Sequence, residues 1–169
     1  MGGRPVSAGD LIFIYHPTGV YRLAPDAHTA RLIYPLDAAV LSEGDMAALP
    51  DGSLLVSHRG RIDQRLIWLG ADGALRWDRS VADLGGVRRL LVAGDRAYAL
   101  SEFGAILSID LAAGDAQRLF DGGSTLRIEG EARMFATADG RVLFDYRAGS
   151  LIALDLQTAF AAAAAAASQ

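Results

Sequence analysis

Two pairs of acidic residues are the best candidates for chemistry in this sequence. Glu43 and Asp45 lie at the start of one predicted strand, and Glu129 and Glu131 lie ahead of another. Carboxylates in such pairs can bind a hard cation such as calcium when carbonyl oxygens and water complete the coordination shell. The alternative is that all four are solvated turn residues, which are common beside strand ends. Apart from this cation, no cofactor is expected.

The other reactive residue types do not form a recognisable catalytic motif. His16, His28 and His58 are far apart and lack the short spacings of a shared metal site. The chain has no Cys and no Gly-x-Ser-x-Gly nucleophile motif. Its glycine-rich segments at 83–86 and 121–124 lack the Lys and the strand-to-helix context of phosphate-binding loops. We therefore predict no catalytic residues, and the sequence favours a protein that is not an enzyme.

One polar segment is a candidate interaction loop. It is expected to project as an extended hairpin loop from the second repeat unit, and its notable residues are His58, Arg59, Arg61 and Arg65. Arginine is enriched at protein interfaces, although a plain solvated loop is the alternative interpretation. The net charge of the chain is −4, and no run of basic residues creates a positive patch. Nucleic acid is therefore not an expected partner.

These candidates are positioned by strands that belong to an internal repeat. Asp110 and Asp155 each end an apolar strand, and the two copies are 45 residues apart. The turns Asp51-Gly52, Gly94-Asp95 and Asp139-Gly140 are predicted to supply the positive φ angles of two-residue hairpins. Looser copies of the pattern occur earlier in the chain. The four repeat units cover about residues 10–36, 38–80, 87–121 and 129–158.

The repeat predicts an all-β fold built of four-stranded antiparallel meanders. Units of about 41 to 46 residues have the period of β-propeller blades. Strands such as 11–14 are apolar on both faces, which indicates that neighbouring sheets cover them. We predict a β-propeller or partial propeller of about four blades over residues 1–158, followed by a short alanine-rich tail at 159–169 with a helical end.

The two ends of the repeat are incomplete in the sequence. The first unit shows no clear innermost strand and the last shows no outer strand, so fourteen strands are predicted, grouped three, four, four and three. Either the first ten residues help to close a four-bladed ring, or the chain is part of a larger propeller, which we favour.

Two families resemble parts of the chain. Residues 92–115 and 141–158 resemble repeats of pyrroloquinoline-quinone-type (quinoprotein-like) propellers, a resemblance that implies the fold first, because many members bind no quinone and serve as scaffolds or assembly factors. Residues 42–56 and 128–136 are similar to gluconolactonase-like propellers. In that family a Glu at the positions of Glu43 and Glu129 helps to hold a divalent metal in the central channel.

The sequence therefore predicts a non-catalytic interaction or scaffold module of the propeller type. A protein partner or self-association would complete the propeller. The alternatives are a metal-dependent lactonase-like hydrolase that uses channel carboxylates, and a subunit or remnant of a quinoprotein-like enzyme. No export signal is visible near the first residues. The longest apolar stretch is about half of the roughly 20 residues that span a bilayer, so no membrane span is expected. The compartment stays open.

Overall fold

The structure is a computed structural model that describes residues 5–24, 28–37, 44–59, 64–81, 86–122, 133–145 and 151–168. Within these residues, fifteen strands form four antiparallel sheets, and one helix follows the last strand. The predicted all-β class with a short C-terminal helical segment is confirmed. The chain divides into two compact units, Met1–Leu90 and Leu91–Gln169.

The first unit contains two four-stranded sheets. The first sheet has the order β1 (Val6–Ala8), β2 (Leu11–His16), β3 (Gly19–Ala24) and β4 (Thr29–Pro35). The second sheet has the order β5 (Gly44–Ala48), β6 (Leu54–Arg59), β7 (Gln64–Leu69) and β8 (Leu75–Ser80). Each strand pairs with the next in the chain, as in a meander. The predicted four-stranded antiparallel meander is therefore present in both sheets.

Strand β1 corrects the prediction that the first sheet has only three strands. Val6 pairs with Phe13 and Ala8 pairs with Leu11, across a turn in which Gly9 has a φ of 56°. The strand is three residues long and contains a single large apolar side chain. Such a segment has too little alternation to be recognised as a strand from the sequence.

The third sheet has the order β9 (Val87–Ala93), β10 (Arg96–Ser101), β11 (Ile106–Asp110) and β12 (Ala116–Phe120), and β9 crosses the boundary between the units. The fourth sheet, in the second unit, has three strands, β13 (Met134–Ala136), β14 (Arg141–Asp145) and β15 (Leu151–Asp155). Helix α1 (Leu156–Ala167) follows β15 directly. Within the described residues, the absence of an outer strand from the last sheet agrees with the predicted grouping.

A three-residue turn with a glycine in its last position recurs in the second, third and fourth sheets. In the first example, Leu49 N–H donates to Ser53 O at 2.8 Å, and Gly52 has a φ of 83°. Gly73, Gly104 and Gly140 take the same place, with φ values of 86°, 84° and 81°. This is a type I turn followed by a left-handed residue, so the predicted two-residue turns at Asp51-Gly52 and Asp139-Gly140 are wrong by one residue. The two-residue turn predicted at Gly94-Asp95 is present.

Each unit has its own apolar core between its sheets. In the first unit, Phe13, Tyr15 and Val20 of the first sheet cluster with Leu54 and Val56 of the second. The second unit has a matching cluster, whose buried members from its two sheets include Tyr98, Leu100, Ile106, Val142 and Phe144. Facing sheets that interdigitate in this way bury large side chains at about 25 cal/mol per Å² of apolar surface removed from water.

Helix α1 occupies the sequence position at which the repeat would have an outer strand. Ala161–Ala165 lie 45 residues after Ala116–Phe120, which form β12. Alanine has the highest helix propensity and a low strand propensity, so this segment continues as a helix. The helix begins at Leu156, before the predicted tail, and Ala159 is buried in the core of the second unit. It is too short to cross a bilayer, and the described residues contain no helix that could do so.

Candidate functional site

Asp45 is the one predicted metal ligand that the structure describes. It lies in β5, where its backbone N–H donates to Ser57 Oγ at 2.8 Å, and its side chain is 11% exposed. Its Oδ2 atom accepts a hydrogen bond from Leu90 N–H at 2.7 Å, and its Oδ1 atom accepts one from Arg89 Nη1 at 3.2 Å. Both carboxylate oxygens therefore have protein donors.

These donors compensate for the cost of burying a charge. Burial raises the pKa of Asp45 above its ordinary value, while the Leu90 N–H and the Arg89 guanidinium act in the opposite direction. A buried carboxylate held by a backbone donor and an arginine connects β5 to the first half of β9. The Asp45 carboxylate therefore joins these two strands through charge-assisted hydrogen bonds.

The proposed calcium ligands beside Asp45 cannot be placed around it. Glu43, Glu129 and Glu131 lie outside the described residues. In the part of the chain that the structure describes, no group of three or more His, Asp or Glu side chains could hold a metal ion. The calcium site thus stays a prediction.

His58 was expected in a projecting loop, and that placement is wrong. It lies in β6 with 2% exposure because the strand continues to Arg59. Its Nε2 atom is 3.0 Å from Asp37 O and its Nδ1 atom is 3.0 Å from the Tyr15 hydroxyl. A carbonyl oxygen can only accept, so Nε2 carries the proton and, in the neutral ring, Nδ1 accepts from Tyr15. Burial raises the pKa of Tyr15 to about 12, which keeps this hydroxyl a donor.

Gly44 makes this buried contact possible. It pairs with His58 in the β5–β6 ladder, and the ring of Tyr15 lies against its backbone. A Cβ atom at this position would be 2.5 Å from Tyr15 Cζ and 2.5 Å from Ser57 O. A side chain would displace the tyrosine, so glycine is required here for close approach.

The arginines of the predicted interaction loop also lie on strands where they are described. Arg59 ends β6, and Arg65 is the second residue of β7. Arg65 Nε donates to Asp78 Oδ1 at 3.0 Å, and Arg65 Nη2 donates to Asp78 Oδ2. This two-pronged pair crosses from β7 to β8, so the guanidinium stabilises the sheet. Arg61 lies outside the described residues, and the interface role of the segment stays a prediction.

Comparisons with known proteins identify the fold. A chain of the nidogen/laminin complex matches with a TM-score of 0.62 and 19% identity over 89% of this chain. Apo AztD from Citrobacter koseri matches with 0.58 and 20% over 92%, and the WD40 domain of Toxoplasma gondii coronin with 0.59 and 11% over 90%. AztD and the coronin domain are β-propeller proteins. The chain has the fold of β-propeller blades.

The similarity is structural only. The propeller match covers 57% of the nidogen/laminin chain, 44% of AztD and 43% of the coronin domain. A scan against family models found no match, and a search of curated proteins found no related sequence. At these identities the likeness shows the fold alone, because one fold can host many unrelated functions.

The propeller blades expose a surface that the sequence analysis missed. Phe135 of β13 is 52% exposed and Leu151 of β15 is 58% exposed. The register pairs Phe135 with Leu143 and Leu143 with Ala153, so these residues share one face of the fourth blade with Leu151. We call this surface, made of Phe135, Leu143, Leu151 and Ala153, the C-terminal open face. Leu151, Ile152, Ala153 and Leu154 are apolar on both sides of β15, so the sequence does not indicate which side is exposed.

Proposed function

We propose that this chain is a non-catalytic protein-interaction or scaffold module of the propeller type. The observation that carries the proposal is the C-terminal open face. Large apolar side chains grouped on one sheet face are costly to leave in water, and exposed apolar groups of this kind mark protein-binding surfaces. The fold supports the same conclusion, because propeller blades bury one another through their faces.

The polar side chains of the candidate site support a structural role in place of catalysis. Asp45 accepts hydrogen bonds from Arg89 and Leu90, while His58 and Arg65 bond to Tyr15 and Asp78. Each contact joins neighbouring strands or sheets of the first unit. The resemblance to pyrroloquinoline-quinone-type repeats is consistent with this role, because many proteins with such repeats bind no quinone and serve as scaffolds or assembly factors.

A capture experiment with a matched control tests this function. The purified chain is immobilised and exposed to a lysate of its source organism, alongside the variants Phe135→Asp and Leu75→Asp. Phe135 belongs to the C-terminal open face, while Leu75, 49% exposed, lies on β8 of the second blade. We expect the parent and the Leu75 variant to retain the same proteins and the Phe135 variant to lose them, because a charge on the open face opposes its burial.

Thermal unfolding is measured for all three proteins. Both substitutions are at exposed positions, so their stabilities should differ from the parent by only about 0.5 kcal/mol. If the three proteins retain the same set, the open face is not a binding surface and the proposed function is wrong.

A further inference from the structure

Two residues of the C-terminal open face correspond to residues that are fully buried one repeat earlier. The residues 45 positions before Leu151 and Ala153 are Ile106 and Ser108. Ile106 and Ser108 are both 0% exposed, and Ile106 belongs to the core in which the third blade packs on the fourth. The open face is therefore the side of the fourth blade on which a following blade would pack.

The first blade also has a partly exposed apolar face, on the side of its sheet that is turned away from the second blade. Phe13 and Tyr15 point into the core of the first unit, so the alternate residues of β2 and their cross-strand partners lie on the other side. These residues are apolar. They are half-buried, except for Leu32, which is 45% exposed. We call this surface the N-terminal open face, and it consists of Ile12, Ile14, Tyr21, Leu23 and Leu32.

The glycine turns align the first blade with the third and fourth blades. This alignment shows which packed surface is equivalent to the N-terminal open face. Gly9-Asp10 and Gly94-Asp95 are the same two-residue turn, which aligns Ile12 and Ile14 with Ala97 and Ala99 of the third blade. A further 45 residues leads to Val142 and Phe144. Those two residues form the side of the fourth blade that receives the third.

The two junctions between blades within the units are built in the same way. In each, the side of one blade that faces the next blade packs against the side of the next blade that faces back. In the first unit, the Phe13 side of the first blade meets the Leu54 side of the second. The second unit repeats this arrangement, with the Tyr98 side of the third blade meeting the Val142 side of the fourth. Counted from the glycine turn that precedes each strand, Leu54 and Val142 occupy the same position. Among the described residues, the N-terminal open face and the C-terminal open face are thus exposed faces of opposite kinds that these two junctions do not use.

We propose that a second copy of this chain packs head to tail on the first, with the N-terminal open face of one copy on the C-terminal open face of the other. The inference rests on the proposed function and names the partner of that surface. Because each contact joins two different faces, it is heterologous and can continue through further copies or close on itself. The residues in contact are equivalent to those that pack at the two junctions within the chain. We therefore expect the two copies to pack in the same way as neighbouring blades.

A complementation experiment separates this arrangement from others. The variants Leu32→Asp and Leu151→Asp each damage one open face, and Leu75→Asp is the control at a similarly exposed leucine outside both faces. The mass in solution is measured by sedimentation at several concentrations. The parent and the control should form species of at least twice the 17.8 kDa monomer mass. Each damaged variant alone should be monomeric, because every contact needs both faces.

The decisive sample is the mixture of the two damaged variants. One supplies an intact C-terminal open face and the other an intact N-terminal open face, so the mixture should form a 1:1 dimer and nothing larger. A monomeric parent, or damaged variants that stay monomeric when mixed, would overturn the head-to-tail inference. If the purified parent is monomeric but Phe135→Asp still abolishes capture from lysate, the proposed function stands and only the identity of the partner is wrong.

Discussion

In the third and fourth blades, the strand pairs β10–β11 and β14–β15 have the same register but differ greatly in burial. Arg96 pairs with Asp110 in one blade, and Arg141 pairs with Asp155 at the equivalent place in the other. Ile106 is nevertheless 0% exposed, whereas its equivalent Leu151 is 58% exposed. Register is set locally by turns and hydrogen bonds, while burial depends on what lies against the sheet. A strand can therefore form all its backbone pairs while one of its faces stays exposed.

The two blades also differ at their outer position. The third blade ends in β12, which has the side chains Gln, Arg, Leu and Phe, while the equivalent segment after β15 contains only alanine. An alanine side chain has too little apolar surface to stabilise an outer strand by packing. The alanines form helix α1 instead, and Phe160 of that helix lies against Arg96 with the guanidinium 5.0 Å from the ring centroid.

The largest test of the comparison truncates the two equivalent residues. Ile106→Ala removes a fully buried side chain and should lower the free energy of unfolding by about 2 to 5 kcal/mol. Leu151→Ala removes an exposed one and should change it by only about 0.5 kcal/mol. Urea unfolding of the parent and both variants measures the difference.

One result of that experiment would contradict the difference in burial between the two blades. Oligomers bury surface that is exposed in one chain, so the measurement is made on the monomer, at low protein concentration. Equal losses in the two variants would mean that Leu151 is as buried as Ile106, and the contrast between the blades would be wrong.

A second test addresses the helix that replaces the outer strand. Ala163→Pro removes a backbone donor in the middle of α1 and clashes with the preceding turn, at a cost of about 3 kcal/mol to the helix. Ala164→Gln is the control, because glutamine at this exposed position keeps the backbone donor and has a high helix propensity. Circular dichroism at 222 nm should show loss of helix for Ala163→Pro and little change for Ala164→Gln.

The strand signal is followed in the same spectra. It should persist in both variants, since the backbone of β15 is paired with β14 along its whole length. Loss of the sheet signal in Ala163→Pro would show that α1 is needed for the blade itself.

The fold could be predicted from the sequence because each repeat carries its own signals. Apolar strands and glycine turns recur in every repeat, and an Asp ends the third strand of the last two repeats. These are local features. The turn lengths were less certain: Asp-Gly is compatible with both two-residue and three-residue turns, and only the pairing of Leu49 with Ser53 distinguishes them.

The candidate site was harder to predict because its residues act over long sequence distances. Nothing near His58 in the sequence indicates that Tyr15 would lie 3.0 Å away, or that β6 would continue through it. Asp45 likewise acquires its donors from residues 89 and 90. The open faces were missed for a related reason: an apolar residue at a covered and at an uncovered position has the same sequence signature.

The smallest expected effect compares the two aspartates that end equivalent strands. Asp155 Oδ1 accepts from Thr158 N–H at 2.8 Å and caps α1, and this hydrogen bond lowers the pKa of Asp155 below its ordinary value of 3.8. Asp110 accepts from Ala113 and Ala112 N–H in a turn, and its pKa is lowered in the same way.

A lowered pKa in the folded state means that the stabilisation is present above pH 3.8 and is lost as the pH falls through the folded value. Helix signal at 222 nm should therefore decrease in acid for the parent and for Asp110→Asn, which leaves the cap intact. It should depend less on pH in Asp155→Asn, because asparagine caps a helix without titrating. If all three proteins lose helix equally, some other group controls α1, and the two aspartates do not differ in function as their positions in the two blades indicate.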